Sequence, residues 1–370
     1  MHFPFRSVQL TTCRHTISIS AGKRLVHSYI PVVDVSALRD DNSSLAARKR
    51  VGAELFTAAS DVGFFYIKGH AIDEGILTEA IERARFFFER LCDEEKDLLH
   101  IRHSHSRCRG YQRLGENVTM GSRDQHEALD LYRDMPCIDG SSSSSSTPIG
   151  PTLAGRNTWP SEARLPGFRH HFDEVYVGAM LGLGQSLSRG LALGLGLEEV
   201  HLDRFFDRSF WVMRLISYPQ PSRSHIGDSD SALGCGAHTD YGCLTILNQD
   251  DDPRFSACLE AETTAGNWVP VPHVPGCLAV NVGDMLALWS SDRLRATPHR
   301  VMSLPPAARH PNNDPGGEQK SRISVPFFFE PNYDAYIEPL FTDSTSCAPT
   351  KPIRYGDHLL EKVSSNFALL

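Results

Sequence analysis

Three residues that can bind a metal ion stand out in the second half of the chain. His238 and Asp240 lie two positions apart in GAHTDYGCL, residues 236–244, and His299 follows in ATPHRVMSL. Residues two apart on a strand face the same side, so the imidazole and the carboxylate are expected to converge. Two histidines and one carboxylate are the ligand set of non-haem Fe(II) oxygenases, which leaves coordination positions open. A lone histidine is more often structural, so the set needs support from elsewhere.

A second group of residues could bind a carboxylate. Arg322 and Ser324 are two apart in RISVPFF, residues 322–328, and are therefore expected on one face of a late strand. A guanidinium beside a hydroxyl can hold a carboxylate with charge-assisted hydrogen bonds. Tyr218, in LISYP, could donate a further hydrogen bond. Taken singly, Arg322 could equally form a surface ion pair and Tyr218 could be a packing aromatic.

The fold class predicted from the pattern is α+β, with a double-stranded β-helix (jelly roll) core buttressed by N-terminal and central helices. Helical spacing after the caps at residues 42–44 and again over 77–91 predicts two helices, and a third follows LPGFRHHFDEV. From about residue 208, eight short β-rich runs separated by turn residues predict two packed sheets. The runs are FWVMRLISY, CLTIL, ACLEAE, NWVPV, CLAVNV, MLALW, HRVMSL and RISVPFFF. Asp284 is assigned to a turn, and Cys235 and Cys243 to the core.

Ordered motifs along most of the chain resemble one family. They are IPVVDVS, GFFYIKGH, RGYQRLGEN, NTWP with LPGF, SYP, AHTDYGCLTIL, VNVGDMLALWS, TPHRV and RISVPFF. Together they make the chain, from about residue 29 to about residue 365, similar to the 2-oxoglutarate and Fe(II)-dependent dioxygenases of the isopenicillin N synthase-like branch. The resemblance implies that His238, Asp240 and His299 bind Fe(II). It also implies that Arg322 and Ser324 bind 2-oxoglutarate, with Tyr218 assisting.

The activity implied by this resemblance is hydroxylation or desaturation of a small-molecule metabolite, with O2 consumed and succinate and CO2 released. Arg109, in RCRGYQ, lies in a segment that the family often brings to the pocket mouth, so it is a candidate substrate residue; a surface arginine is the equal alternative. Two features depart from the family. Ile216 replaces a common asparagine, and residues 304–320 form a polar insertion expected in a surface loop.

Two other functions remain open at this level. Isopenicillin N synthase and aminocyclopropane carboxylate oxidase share the fold, the triad and an Arg-x-Ser pair but do not consume 2-oxoglutarate. The chain could also be a catalytically silent jelly-roll binding protein. Release of succinate from 2-oxoglutarate would distinguish a dioxygenase from the first alternative. Binding of Fe(II) would distinguish it from the second alternative.

Composition limits the partners. A formal net charge of −8 gives no basic excess for nucleic acid or an anionic membrane, so a small molecule is the expected partner and a monomer is favoured. Nine scattered cysteines are typical of reduced thiols in a cell. We expect a cytoplasmic protein, although residues 1–28, basic and free of Asp and Glu, have the composition of a mitochondrial transit segment.

The predicted domain organisation has four parts. They are a leader over 1–28, an N-terminal helical and β region over 29–200 with a Ser-rich insertion at 139–151, a jelly-roll catalytic domain over 205–335, and a C-terminal extension with a helix over 336–370.

Overall fold

A computed structural model gives the fold. The structure describes residues 30–104, 108–119, 121–135, 153–220, 233–304, 321–341 and 351–367. The predicted leader, the Ser-rich insertion and, except for Leu304, the polar insertion at 304–320 lie outside the described residues.

Six of the described strands lie in the first half of the chain and ten in the second half. Their bounds are β1 (Val32–Asp34), β2 (Phe64–Lys68), β3 (Gly110–Gln112), β4 (Val118–Thr119), β5 (Ser122–Arg123), β6 (Glu127–Tyr132), β7 (Val212–Tyr218), β8 (Leu233–His238), β9 (Leu244–Gln249), β10 (Leu259–Glu262), β11 (Trp268–Pro270), β12 (Cys277–Val282), β13 (His299–Met302), β14 (Arg322–Phe329), β15 (Tyr336–Ile337) and β16 (Ile353–Arg354).

Among the described residues, seven α-helices precede β7, one lies between β12 and β13, and one follows β16. Their bounds are α1 (Ser36–Arg39), α2 (Leu45–Asp61), α3 (Glu74–Arg90), α4 (Asp93–Asp97), α5 (Phe168–His170), α6 (Val177–Gly194), α7 (Asp203–Phe206), α8 (Asp284–Trp289) and α9 (Tyr355–Phe367). A π-helical turn over His171–Tyr176 joins α5 to α6. As predicted, α2 begins after Ser44, whose hydroxyl accepts a hydrogen bond from the Ala47 amide at 3.2 Å.

Two antiparallel-rich sheets face each other and form the predicted jelly roll. The major sheet has the order β1-β2-β12-β9-β14-β7-β6-β3, and the minor sheet has the order β11-β10-β13-β8. One buried cluster contains side chains of both sheets, among them Phe64 and Ile216 from the major sheet and Leu259 and Val301 from the minor sheet. The interior between the sheets is therefore lined by alternate residues of each strand.

The other face of the major sheet is covered by helices. The main hydrophobic core joins α2, α3 and α6 to outward-facing side chains of the major sheet such as Leu215, Ile246 and Val325. Helices α2 and α6 approach closely at Gly52, where a Cβ atom would lie 2.7 Å from the Gly190 carbonyl oxygen. The helices thus form a rigid backing for the sheet, as the sequence predicts.

Two local predictions are wrong. MLALW was expected to be a strand but forms most of α8, and Asp284 is the first residue of that helix rather than part of a turn. The short apolar run carries no periodicity that separates a strand from a buried helix, and its tertiary contacts decide between them.

The major sheet also takes strands from both sides of the predicted boundary near residue 200; the domain boundaries themselves stay a prediction. In the part of the chain that the structure describes, every helix is too short or too polar to cross a bilayer.

Candidate iron and cosubstrate site

The minor sheet brings the two candidate histidine ligands together. His238 is the last residue of β8, His299 is the first residue of β13, and the two are paired in the antiparallel register. Asp240 lies in the turn after β8, so the expectation that it continues the strand is wrong. The expected convergence nevertheless occurs, because the turn folds the carboxylate back toward both imidazoles.

The distances among these three side chains suit a shared metal ion. The Asp240 Oδ1 atom lies 3.8 Å from His238 Nε2 and 3.7 Å from His299 Nε2. The two imidazole centroids are 4.4 Å apart. One ligand atom from each residue lies within 4.8 Å of the others. The donor set of two imidazoles and one carboxylate fits Fe(II).

Backbone carbonyls set the tautomer of both histidines. His238 Nδ1 donates to the Gly236 carbonyl oxygen at 2.8 Å, and His299 Nδ1 donates to the Thr297 carbonyl oxygen at 3.1 Å. A carbonyl oxygen can only accept, so the proton resides on Nδ1 in each neutral ring. In the neutral form of each ring, Nε2 therefore has a lone pair for a metal, and the hydrogen bond at Nδ1 holds the ring in place.

Asp240 is oriented by two residues of the major sheet. Its Oδ2 atom accepts hydrogen bonds from the Thr245 hydroxyl and, at 2.6 Å, from the Asn281 amide. Burial acts to raise the pKa of Asp240, but the two imidazoles and these two hydrogen bonds outweigh it and lower the pKa. The carboxylate thus stays ionised, with Oδ1 directed toward the histidines. Burial lowers the pKa of His299, which favours the neutral form that a metal requires. Burial acts in the same direction on His238, but Cys235 and Asp240 outweigh it and raise the pKa of His238 to about 10, so a metal bound at Nε2 would displace a proton from this ring.

Arg322, Ser324 and Tyr218 lie in the major sheet around the same cavity. Arg322 is 2% exposed, and its guanidinium carbon lies 5.2 Å from the centroid of the Tyr218 ring. Its Nη2 atom donates to Gln249 Oε1 at 3.0 Å, whereas its buried Nη1 atom has no hydrogen-bond partner among the described residues. A buried guanidinium with a missing acceptor fits a carboxylate. Ser324 and Arg322 both line the cavity that contains the three candidate metal ligands.

Several cavity residues were missed by the sequence analysis. Thr245 and Asn281 face Asp240, and His126 and Arg214 line the cavity wall. Thr245 and Asn281 lie in the motifs AHTDYGCLTIL and VNVGDMLALWS, but nothing in those motifs marks either residue as a partner of Asp240. The signal that relates these residues is register: β9 pairs with β12 so that Thr245 is opposite Asn281, and β6 pairs with β7 so that Asp130 is opposite Arg214. Alternation along the strands then places these side chains on the inner face.

Arg109 is not among the residues that line this cavity. Its side chain is fully buried and donates to three backbone carbonyl oxygens, those of Tyr132, Arg133 and Leu153, at 2.8 to 3.1 Å. It also donates to Asn157 Oδ1 at 2.9 Å. The substrate role expected for Arg109 finds no support in this placement, because its hydrogen bonds go to the backbone that surrounds it. It joins the end of β6 at Tyr132 and Arg133 to Leu153 and Asn157.

Removing the Arg109 guanidinium should therefore destabilise the protein. In Arg109→Met, four acceptors each lose one hydrogen bond from the guanidinium, and we expect the free energy of unfolding to fall by about 3 kcal/mol. Urea unfolding of purified protein measures this, and Arg102→Met, on the surface, is the control. A stable variant whose only defect is a raised substrate KM would show that Arg109 contacts substrate after all.

The turn that carries Asp240 is braced by a buried acid, Glu330. The Cys243 amide donates to Glu330 Oε2 at 2.8 Å, and the carboxyl group packs so closely on Gly242 that a Cβ atom there would overlap it. Burial raises the pKa of Glu330 to about 8. The folded protein therefore prefers the protonated carboxyl group, while the unfolded chain ionises above a pKa of 4.5.

This pKa difference makes a pH-dependent contribution to stability. Between the unfolded and folded pKa values the unfolded chain has lost the proton and the folded chain has kept it, so stability falls as pH rises. Glu330→Gln cannot ionise. We expect the free energy of unfolding of Glu330→Gln, relative to that of the parent, to increase from pH 5 to pH 8 by up to about 1.4 kcal/mol per pH unit. Urea unfolding at several pH values measures the trend, with Glu338→Gln as the surface control. A constant difference would contradict the assignment.

Comparison with known proteins agrees with this geometry. Residues 30–162 match the family model described as the N-terminal region of non-haem dioxygenase in morphine synthesis, and residues 211–331 match the 2OG-Fe(II) oxygenase superfamily. A homoarginine-6-hydroxylase from Glycine max is 38% identical over 92% of this chain and 98% of its own length. The chain belongs to the 2-oxoglutarate and Fe(II)-dependent oxygenase superfamily.

Other relatives of this oxygenase support the same assignment. A homoarginine-6-hydroxylase from Oryza sativa is 36% identical over 92% of this chain and 98% of its own length. The crystal structure of a full-length Neurospora crassa protein in complex with alpha-KG and thymine has a TM-score of 0.73 over 91% of this chain and 96% of that chain; at 23% identity it shows the fold alone. The chain is thus an Fe(II) and 2-oxoglutarate-dependent dioxygenase acting on a small-molecule metabolite. This confirms the predicted class over both alternatives.

Proposed function

We propose that this oxygenase hydroxylates homoarginine or a closely similar amino acid with a guanidinium group. The observation that carries the proposal is the similarity to four homoarginine-6-hydroxylases from soybean, Arabidopsis and rice, at 36% to 38% identity over 92% to 93% of the chain. Fungal relatives named 2-oxoglutarate-dependent dioxygenases are more distant, with the protein caaD of Aspergillus niger at 30% identity.

The assignment of individual residues is part of the same proposal. His238, Asp240 and His299 hold Fe(II), and Arg322 and Ser324, with Tyr218 beside them, hold the distal carboxylate of 2-oxoglutarate. Its support is the short distances among the three ligands and the missing acceptor of Arg322. When bound, iron and 2-oxoglutarate supply the oxidising chemistry, in which O2 hydroxylates the substrate while 2-oxoglutarate becomes succinate and CO2.

The chain's own residues position these groups and shield the reaction. Thr245 and Asn281 keep the Asp240 carboxylate ionised and directed at the histidines. Apolar side chains such as Ile216, Leu247 and Val301 line the remaining cavity and limit the access of water. A monomer in the cytoplasm, with mitochondrial import as the alternative, stays the predicted assembly and location.

Succinate release tests the proposal. Purified protein with Fe(II) and 2-oxoglutarate should form succinate several times faster when homoarginine is added, and homoarginine should gain one oxygen atom by mass spectrometry. Arginine and lysine are the matched controls, since one is shorter by a methylene group and the other lacks the guanidinium. Equal succinate release with and without homoarginine would contradict the proposed substrate.

A further inference from the structure

Two polar side chains of the cavity wall are not used by iron or 2-oxoglutarate. His126 precedes β6 and its ring lies 5.3 Å from the Tyr218 ring, while Arg214 lies on β7 opposite Asp130. Both line the cavity that contains the three candidate metal ligands. They therefore face the space in which a substrate would lie.

His126 presents a fixed hydrogen-bond acceptor. Its Nδ1 atom is 3.0 Å from the Gly234 carbonyl oxygen, which can only accept, so Nδ1 carries the proton. The Nε2 atom then has a lone pair, is buried and has no hydrogen-bond partner in the structure. Burial lowers the pKa of His126 to about 4, which keeps this ring neutral near pH 7. A buried acceptor without a donor is costly, so it marks a place for a ligand.

The cosubstrate cannot supply that donor. At neutral pH 2-oxoglutarate has two carboxylates and a keto oxygen, all of which are acceptors. An N–H or O–H group of the substrate can supply it. The ammonium group of an amino acid meets this requirement.

Arg214 offers the complementary group for a carboxylate. Its Nε atom donates to Asp130 Oδ1 at 2.7 Å and its Nη2 atom donates to Asn117 Oδ1 at 2.9 Å. Asp130 is itself held by Gln112 at 2.6 Å. The guanidinium plane is thus fixed, and Nη1 forms no hydrogen bond to a described residue. The Nη1 end of the positively charged Arg214 guanidinium is therefore available to bind an anion.

We propose that His126 and Arg214 bind the amino-acid end of the substrate. The α-ammonium group donates to His126 Nε2, and the α-carboxylate accepts from Arg214 Nη1. This leaves the far end of the side chain to reach toward His238, Asp240 and His299. The assignment rests on the proposed function, since it requires an amino-acid substrate.

The His126 contact can be tested by pairing variants with substrate analogues. His126→Phe removes the acceptor and keeps a ring, and we expect the KM for homoarginine to rise at least about ten-fold with the KM for 2-oxoglutarate unchanged. His126→Gln restores an acceptor near the position of Nε2 and should recover most of the affinity. With the des-amino analogue of homoarginine, His126→Phe and the parent should have the same KM.

His171 provides the matched control. It is also buried and its Nε2 atom also lacks a partner, but it lies in the π-helical turn and does not line the cavity. His171→Phe should therefore leave both KM values unchanged. If His171→Phe and His126→Phe raise the homoarginine KM equally, the effect is a non-specific consequence of replacing a buried histidine, and the inference is wrong.

The Arg214 contact is tested in a double variant. Arg214→Met with Asp130→Asn removes the guanidinium without leaving a buried charge, and it should raise the homoarginine KM at least about ten-fold. The decarboxylated analogue of homoarginine should bind this variant and the parent equally. A larger penalty with the decarboxylated analogue than with homoarginine would overturn the carboxylate contact.

The outcomes separate this inference from the proposed function. If the parent enzyme does not turn over homoarginine, the proposed function fails and this assignment fails with it. If the parent does turn it over and His126→Phe has an unchanged KM, only the inference is overturned.

Asp124, His126 and Cys235 also lie close enough to share a metal ion. Two metal ions per chain in the parent and one in His126→Phe would therefore show that His126 binds a metal instead.

Discussion

Asp240→Ala should reduce substrate-coupled succinate formation to below about one hundredth of the parent rate. Residues that merely orient a metal ligand cost 10- to 100-fold when they are removed, and loss of a ligand should cost more. The variant loses the only carboxylate among the three described ligands, and Thr245 and Asn281 lose their acceptor. Calorimetric titration with Fe(II) under anaerobic conditions should show weaker binding in parallel with the lost activity.

The control for Asp240→Ala is Asp284→Ala. The Asp284 amide donates to the Asp240 carbonyl oxygen at 2.7 Å, but its carboxylate lies 3.5 Å from Lys362 Nζ. The Asp284→Ala variant removes a carboxylate beside the same turn, and we expect it to keep the iron affinity and most of the activity of the parent. Asn281→Ala should give an intermediate loss of 10- to 100-fold. Full coupled turnover in Asp240→Ala would exclude this residue as an iron ligand.

Arg322→Met should raise the KM for 2-oxoglutarate by about a hundred-fold or more. The expected carboxylate partner would lose a buried, charge-assisted contact, and truncating one side of such a pair costs about 2 to 5 kcal/mol. Arg322→Lys keeps the charge but not the planar fork, so it should fall between the parent and Arg322→Met. Initial rates of succinate formation against 2-oxoglutarate concentration measure all three.

Two further measurements make the Arg322 result specific. Ser324→Ala removes one uncharged hydrogen bond and should raise the same KM only about ten-fold. In the parent, saturating 2-oxoglutarate should raise the melting temperature because it binds the folded state, and Arg322→Met should lose this shift. An unchanged melting shift in Arg322→Met would show that the cosubstrate is anchored elsewhere.

The sequence predicts those parts of the molecule that depend on local pattern. Helical spacing locates α2 and α3, Ser44 acts as the expected N-cap, and the alternating run RISVPFF is a strand with Arg322 and Ser324 on one face. The three candidate ligands were predicted from residue type, from the spacing of His238 and Asp240, and from the family resemblance. They meet because β8 and β13 are neighbours, although the geometry expected for Asp240 was that of a strand.

Other features depend on contacts between distant segments. Nothing near Arg109 distinguishes a buried arginine, bonded to backbone carbonyls far along the chain, from one at a pocket mouth. His126 and Arg214 also lack a local signal, because their position in the cavity follows from the pairing of β6 with β7. Register is set by the whole sheet, and one sequence on its own does not reveal it.

The two sheets contribute different groups to the active site. His238 and His299 belong to the minor sheet, whereas Arg322, Ser324 and Arg214 belong to the major sheet and His126 immediately precedes its strand β6. If His126 and Arg214 bind the substrate as proposed, exchanges at inner positions of β6 and β7 should change which molecule is accepted while leaving iron coordination intact. A directed-evolution library confined to those two strands would be expected to yield enzymes with new selectivity and unchanged metal affinity.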